Sequence, residues 1–212
     1  MSVVAIGAHP DDIEIGVGGT VALHRARDEE VRFVVLTSGE ELSDPGRRER
    51  EAREAAAVLD VEDIHFVGYE DTAVPYDNGA VTAIEEHLED VDADRAYIHT
   101  PEDTHQDHRK AALSSIAATR NVDEVLSFES PSTRPSFEPQ YYSSFSAKML
   151  DRKISAIRAH ESQRKKKYLE AEAMKGLARF RGRQANKRYA EALEVIRITK
   201  NGHDTEGGEI AL

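Results

Sequence analysis

Short apolar runs alternate with amphipathic stretches through the first two-thirds of the chain. Residues 3–8 (VVAIGA) form an unbroken apolar run of strand length, which predicts a buried strand. Residues 14–28 follow with Ile15, Val21, Ala22 and Leu23 available for packing, which predicts a helix. Residues 32–37 (RFVVLT) predict a second strand. Residues 45–59 are Ala/Glu/Arg-rich and open on Pro45, a residue suited to a helix start. Strands at 64–67, 95–99 (RAYIH) and 125–128 then alternate with helices at 81–88 and 105–118. Parallel strands need crossovers, and helices supply them. The alternation therefore predicts an α/β chain with a mostly parallel sheet and helices on both faces.

The pattern changes after residue 129. Residues 130–140 (SPSTRPSFEPQ) carry three prolines and read as an ordered loop across the end of the sheet. An edge strand is expected at 141–145, helices at 149–159 and 163–177, and a last strand at 195–198. Residues 1–198 read as one domain, and the tail from 199 as poorly ordered.

Composition narrows the function classes. The 40 acidic residues outnumber the 28 basic ones, for a net charge of −12. Phosphate contacts need a positive surface, so a general nucleic-acid binder and an anionic-membrane protein are both disfavoured. The basic run 164–167 reads as a solvated helix face. No stretch approaches the roughly 18 apolar residues of a membrane span. The start MSVVAIGAHPDD has no basic region and too short an apolar run for a signal peptide, so a cytoplasmic location is expected. Nine Lys stand against 19 Arg, a balance that suits a high-salt cytoplasm and equally an ordinary acidic protein. There is no cysteine, so any metal site must use His, Asp and Glu.

Two clusters carry candidate chemistry. His9, Asp11 and Asp12 sit where the first strand ends, with Pro10 fixing the turn. Ligands of parallel sheets collect beyond the C-terminal ends of strands. So dense a group of ionisable side chains is costly unless a cation or hydrogen bonds compensate it. Helix capping by Asp11 or Asp12 is the plainer alternative. The second cluster, Asp103 to Arg109, follows the fourth strand. His105 and His108 are three apart and share a helix face, and Asp107 can orient an imidazole. A polar loop with two exposed histidines is its plainer alternative. Taken together, the clusters converge on one crevice, and a metal held by two His and one Asp, with positions left open for water, is the economical reading.

These residues resemble the LmbE-like, or PIG-L, deacetylases. The AHPDDxE signature is met by Ala8-His9-Pro10-Asp11-Asp12-Ile13-Glu14, and its glycine-rich continuation by Gly16-Val17-Gly18-Gly19-Thr20. The HPDH signature appears as His105-Gln106-Asp107-His108, with Gln in place of Pro. Weaker pieces are residues 36–40, the Arg48…Glu51 pair, Gly68-Tyr69, Pro131-Ser132-Thr133, Ser162-Gln163 and Tyr189-Ala190-Glu191. The resemblance covers roughly residues 3–197. It implies a Rossmann-like fold with the metal at the C-terminal strand ends. It also implies zinc-dependent removal of an N-acetyl group from an amino sugar or related small molecule. By motif position, it implies His9, Asp12 and His108 as zinc ligands and Asp11 as general base. His105 would be electrophile and acid, with Asp107 behind it.

Other residues fit more than one reading. Arg47 and Arg48 are candidate substrate-binding residues, through sugar hydroxyls or a phosphate, and equally helix-surface partners of Glu51. The glycines 16, 18 and 19 do not match a dinucleotide loop and suit close helix–sheet packing. A structural role is expected for Glu14 and for His160. Tyr69, Tyr76, Tyr141 and Tyr142, with the segment 130–140, are expected to wall the groove. Two competing readings are a 2-His-1-carboxylate iron oxygenase, which usually rides on a β-barrel, and a non-catalytic carbohydrate- or nucleotide-binding domain. The second has no use for a carboxylate at Asp11 beside Asp12. The expected partner is a small N-acetylated substrate. The specific substrate and a homo-oligomeric state are left open.

Overall fold

The computed structural model describes residues 1–40 and 44–199, so the tail expected to be poorly ordered lies, beyond Thr199, outside the described residues. The elements run β1 (Ser2–Gly7), α1 (Asp12–Arg25), β2 (Glu30–Thr37), α2 (Pro45–Val58), β3 (Asp63–Tyr69), α3 (Asn78–Glu89), β4 (Arg95–His99), α4 (Gln106–Ala118), β5 (Glu124–Phe128), β6 (Tyr141–Ser144), α5 (Ala147–Ala159), α6 (Ala171–Gln184) and β7 (Ala190–Ile198). The sheet order is β3-β2-β1-β4-β5-β7-β6. β1 to β5 are parallel, and β7 and β6 close one edge in antiparallel pairing. The doubly wound α/β fold read from the alternation is therefore present.

Period-two burial places the layers. Val3 and Ala5 of β1 face a core with Val17 and Val21 of α1, Ala52 and Ala55 of α2 and Ala156 of α5. Val4 and Ile6 face the other side, against Ile84 and Leu88 of α3 and Ala111 of α4. The strand order reverses between β1 and β4, and this switch point is where doubly wound sheets bind ligands. Among the described residues no helix is long and apolar enough to cross a membrane.

The glycine run of α1 serves packing. A Cβ on Gly16 would overlap the ring of Phe128, which is fully buried and has no room to retreat. Gly16→Ala is expected to cost about 1–3 kcal/mol, the usual range for overpacking. A urea midpoint unchanged from the parent would count against this packing role.

Two expectations are corrected. The helix expected at 163–177 is two single turns, Glu161–Gln163 and Lys167–Leu169, followed by α6 from Ala171. Gln163 and Leu169 are both buried, yet six residues apart they would point about 120° away from each other on a straight helix. β7 begins at Ala190, five residues before the expected start, because residues 190–193 pair with β6 and are buried.

Candidate metal centre

β1 delivers its C-terminal turn to the switch point. Thr37 of β2 holds that turn by donating its N–H and hydroxyl to the Ala8 carbonyl, both at 3.0 Å. Asp11 occupies the N-cap position of α1, but its side chain caps nothing and its backbone sits at φ 109°. A non-glycine residue there costs roughly 1–3 kcal/mol, strain that concentrates at functional sites. The capping alternative therefore fails for Asp11. The Asp12 carboxylate folds back to accept the His9 N–H at 2.7 Å.

Asp12 is the hub. Its oxygens lie 3.3 Å from His9 Nδ1, 3.2 Å from His99 Nε2 and 3.4 Å from His108 Nε2. The three residues expected as ligands, His9, Asp12 and His108, thus meet around one carboxylate. Ligating atoms of Asp12, His99 and His108 lie within 4.8 Å of one another, and so do those of His9, His105 and His108, and of His9, Asp71 and Asp107.

α4 supplies the second cluster. His105 is its N-cap, and its Nδ1 accepts the Asp107 N–H at 3.2 Å. The Asp107 carboxylate does not stand behind His105, where the resemblance puts it. It turns to His9 Nε2 at 3.2 Å and accepts the Thr72 N–H at 2.8 Å. Backbone and side chain of Asp107 thus serve different histidines. His108 is oriented instead by Asp103, through Nδ1 at 3.1 Å. Asp103 is itself held by the Ser130 hydroxyl at 2.6 Å.

Two members escaped the sequence reading. His99, the last residue of β4, is buried and stacks on His108 with ring centroids 4.2 Å apart. Asp71, beyond β3, lies 3.0 Å from His9 Nε2. The available signal was position: both follow or end strands of the same sheet, where site residues gather.

Burial and charge set the protonation of this cluster. Burial opposes a charge on His9, but its hydrogen bonds to the carboxylates of Asp107, Asp12 and Asp71 outweigh it and hold its pKa well above the ordinary value. Burial likewise opposes charge on His108, yet Asp12 and Asp103 lift it to about 9. His99, buried and beside His108, falls to about 4. Burial would raise Asp12, but the charges of His108 and His99 hold it well below the carboxylate range. Burial raises Asp11 against the pull of Arg48, and lowers His105 together with its neighbours His108 and His9.

A cavity of about 450 Å³ opens here, lined among others by His9, Asp11, Asp12, His105, His108 and Arg48. Arg48 is fully buried, donates to the Pro10 carbonyl, and lies 3.7 Å from Asp11. Its guanidinium braces the turn, and Arg47 is the partner of Glu51 at 2.8 Å. Pro131 and Ser132 do line the cavity, but its tyrosine is Tyr168. Tyr69 and Tyr141 pack against the two cores, and Tyr76 is exposed. His160 is buried and pairs with Glu14 at 3.2 Å. A depression of about 560 Å³ near Arg25, Glu30 and Asp60 lies at the opposite ends of the strands, where this fold does not place ligands.

The donor chemistry fits a cation. Imidazoles and carboxylates converge, and Asp11 Oδ2 and Asp107 Oδ1 are buried without hydrogen-bond partners. Such orphaned oxygens are costly unless a ligand or ion satisfies them. Two imidazoles and a carboxylate are donors that zinc accepts.

The comparisons with known proteins show the family. The family described as PIG-L, GlcNAc-PI de-N-acetylase, matches residues 4–119. The uncharacterized deacetylase YaiS of Escherichia coli is 32% identical over 167 residues, 76% of this chain and 90% of YaiS. Diacetylchitobiose deacetylase of Thermococcus kodakarensis is 26% identical, over 92% of this chain and 82% of its own. The crystal structure of the conserved protein TT1542 from Thermus thermophilus superposes with a TM-score of 0.84 at 23% identity, covering 97% of this chain and 99% of that one. With both signatures inside the matched span and the same fold around them, the chain belongs to the PIG-L, or LmbE-like, family of deacetylases.

Proposed function

We propose that this protein is a zinc-dependent N-deacetylase that hydrolyses the acetamide of an N-acetylated amino sugar or related small molecule, with His9, Asp12 and His108 as the metal ligands. The observation that carries the reading is the Asp12 carboxylate between His9 and His108, beside a second buried carboxylate with an oxygen that no hydrogen bond occupies, in the wall of a cavity. The deacetylase relatives support the reaction class over a non-catalytic binding domain.

Bound zinc would supply an activated water and polarise the amide carbonyl. The chain's own residues then divide the proton work. Asp11 lines the cavity, and its Oδ2, which no hydrogen bond occupies and Lys166 Nζ approaches only to 3.9 Å, accepts the water's proton. Arg48 holds the turn beneath Asp11 through the Pro10 carbonyl, and so keeps the base in place. His105 accepts the Asp107 N–H on Nδ1, which leaves the proton of its neutral ring on Nε2. That N–H can donate to the carbonyl oxygen as negative charge develops there. Asp103 and the Asp71–Asp107 pair orient His108 and His9 from behind. Tyr168, Lys166 and Pro131 form the outer wall that the substrate meets.

Metal removal tests this reading. Exhaustive chelation should abolish acetate release from an N-acetylglucosamine-type substrate, and a stoichiometric addition of zinc should restore it. Undiminished acetate release from protein shown by elemental analysis to be metal-free would overturn it.

A further inference from the structure

The helix that carries Asp12 is not straight. Val17 sits at φ −132°, ψ 17°, and divides α1 into two helical segments. In an unbroken helix the Gly19 N–H would bond to the Ile15 carbonyl, and the Thr20 N–H to that of Gly16. Here Gly19 donates to Glu191 Oε1 at 2.9 Å and Thr20 to Glu191 Oε2 at 2.8 Å, with the Thr20 hydroxyl on the same oxygen at 2.5 Å. The Ile15 carbonyl accepts from Lys153 Nζ at 2.6 Å, and that ammonium meets Glu191 Oε1 at 2.5 Å. Lys153 comes from α5 and Glu191 from β7, and both are buried. An ion pair is thus threaded into the helix ladder, its donor on the freed carbonyl and its acceptor on the freed amides. Insertion of a side chain into the ladder is a recognised cause of sharp kinks. Gly18 leaves room for it, since a Cβ there would lie 3.1 Å from Lys153 Cγ.

The kink separates two jobs. The segment after Val17 packs Val21 and Ala22 into the core. The turn before it carries Asp12 and Glu14. A buried ion pair is a poor way to gain stability, because desolvating two charges offsets most of their attraction. Its placement at the kink gives it another use. We propose that Lys153 and Glu191 are positioning residues: together they hold the first turn of α1 at the angle that sets Asp12 between His9 and His108. The affinity for metal would then depend on two residues that touch neither metal nor substrate. This rests on Asp12 being a metal ligand, as assigned above.

The test is zinc titration of metal-free protein against a chromophoric chelator, with the imidazole NMR signals of His99 and His108 recorded before metal is added. Both rings face Asp12 and report its position directly. Glu191→Gln and Lys153→Met should each raise the zinc Kd about tenfold, the lower end of what lost supporting contacts cost a metal site. The double variant should be no worse than the weaker single one, because the pair acts as a unit. Thr20→Val removes one contact to Glu191 with no buried charge stranded, so it keeps the test alive if the other variants fail to fold. It should raise Kd a few-fold and shift the same imidazole signals. Zinc affinities within about twofold of the parent, with unmoved imidazole signals, in variants that remain folded would make the pair a simple brace between α5 and β7 and overturn the proposal. A parent protein that takes up no zinc would remove the metal reading instead. The imidazole signals need no metal, and would still decide whether the pair sets the geometry around Asp12.

Discussion

Asp11→Asn is expected to lower turnover by roughly 10²–10⁴-fold, the usual cost of losing a positioned general base, while zinc content stays at the parent level. The substitution isolates basicity. Asn keeps the shape of the side chain, and it is among the residues that tolerate a left-handed backbone, so the φ of 109° at this position should survive. The Arg48 contact to the Pro10 carbonyl does not involve Asp11 and holds the turn in either variant. What disappears is the oxygen able to take a proton from water. Parallel loss of zinc and activity in this variant would identify Asp11 as a ligand and leave the base unassigned.

Asp12→Ala should do the reverse and empty the metal site. Asp12 joins His9, His99 and His108, and it accepts the His9 N–H as well. Its removal takes away a ligand and the charge that faces His9 and His108. Zinc measured by elemental analysis after gel filtration should fall from a single ion per chain to background, with activity following it. Zinc at the parent level with a normal melting temperature would mean that the ion sits among His9, Asp71 and Asp107, or among His9, His105 and His108, the other convergent donor sets.

The alternation of apolar runs and amphipathic stretches was enough to place β1 to β5 and the four helices among them. Each strand buried on both faces must be apolar throughout, and each crossover helix on one face only. The region after residue 129 was less legible. Whether residues 163–177 continue as a helix depends on what surrounds Gln163 and Leu169, and their separate burial broke the run into two turns. The start of β7 was hidden for a similar reason, since Ala190 and Ala192 become strand residues through pairing with β6. Of the tyrosines expected over the groove, Tyr69 and Tyr141 are placed by the sheet cores and Tyr76 is exposed, and the segment that does supply an aromatic, at Tyr168, carried no recognisable signal.

The candidate site shows the same division. His9, Asp11 and Asp12 lie together in the chain, as do His105, Asp107 and His108, so their chemistry could be read from spacing and from the two signatures. A doubly wound sheet brings any two such strand ends together, which is why their convergence could be expected as well. The partners of those residues could not. Asp107 serves His9 rather than the neighbouring His105, Asp103 serves His108, and His99 at the end of β4 and Asp71 beyond β3 enter from outside the two signatures. Arg48 faces inward to a carbonyl, while its neighbour Arg47 makes the surface pair. Sequence by itself therefore determined the residue types, their placement at strand ends and the fold that gathers them, because these follow from local periodicity and chain order. Only the tertiary structure decided which carboxylate orients which imidazole and how α1 is bent to present Asp12. Those choices are hydrogen bonds of a few ångströms between groups up to 172 residues apart, and no local pattern encodes them.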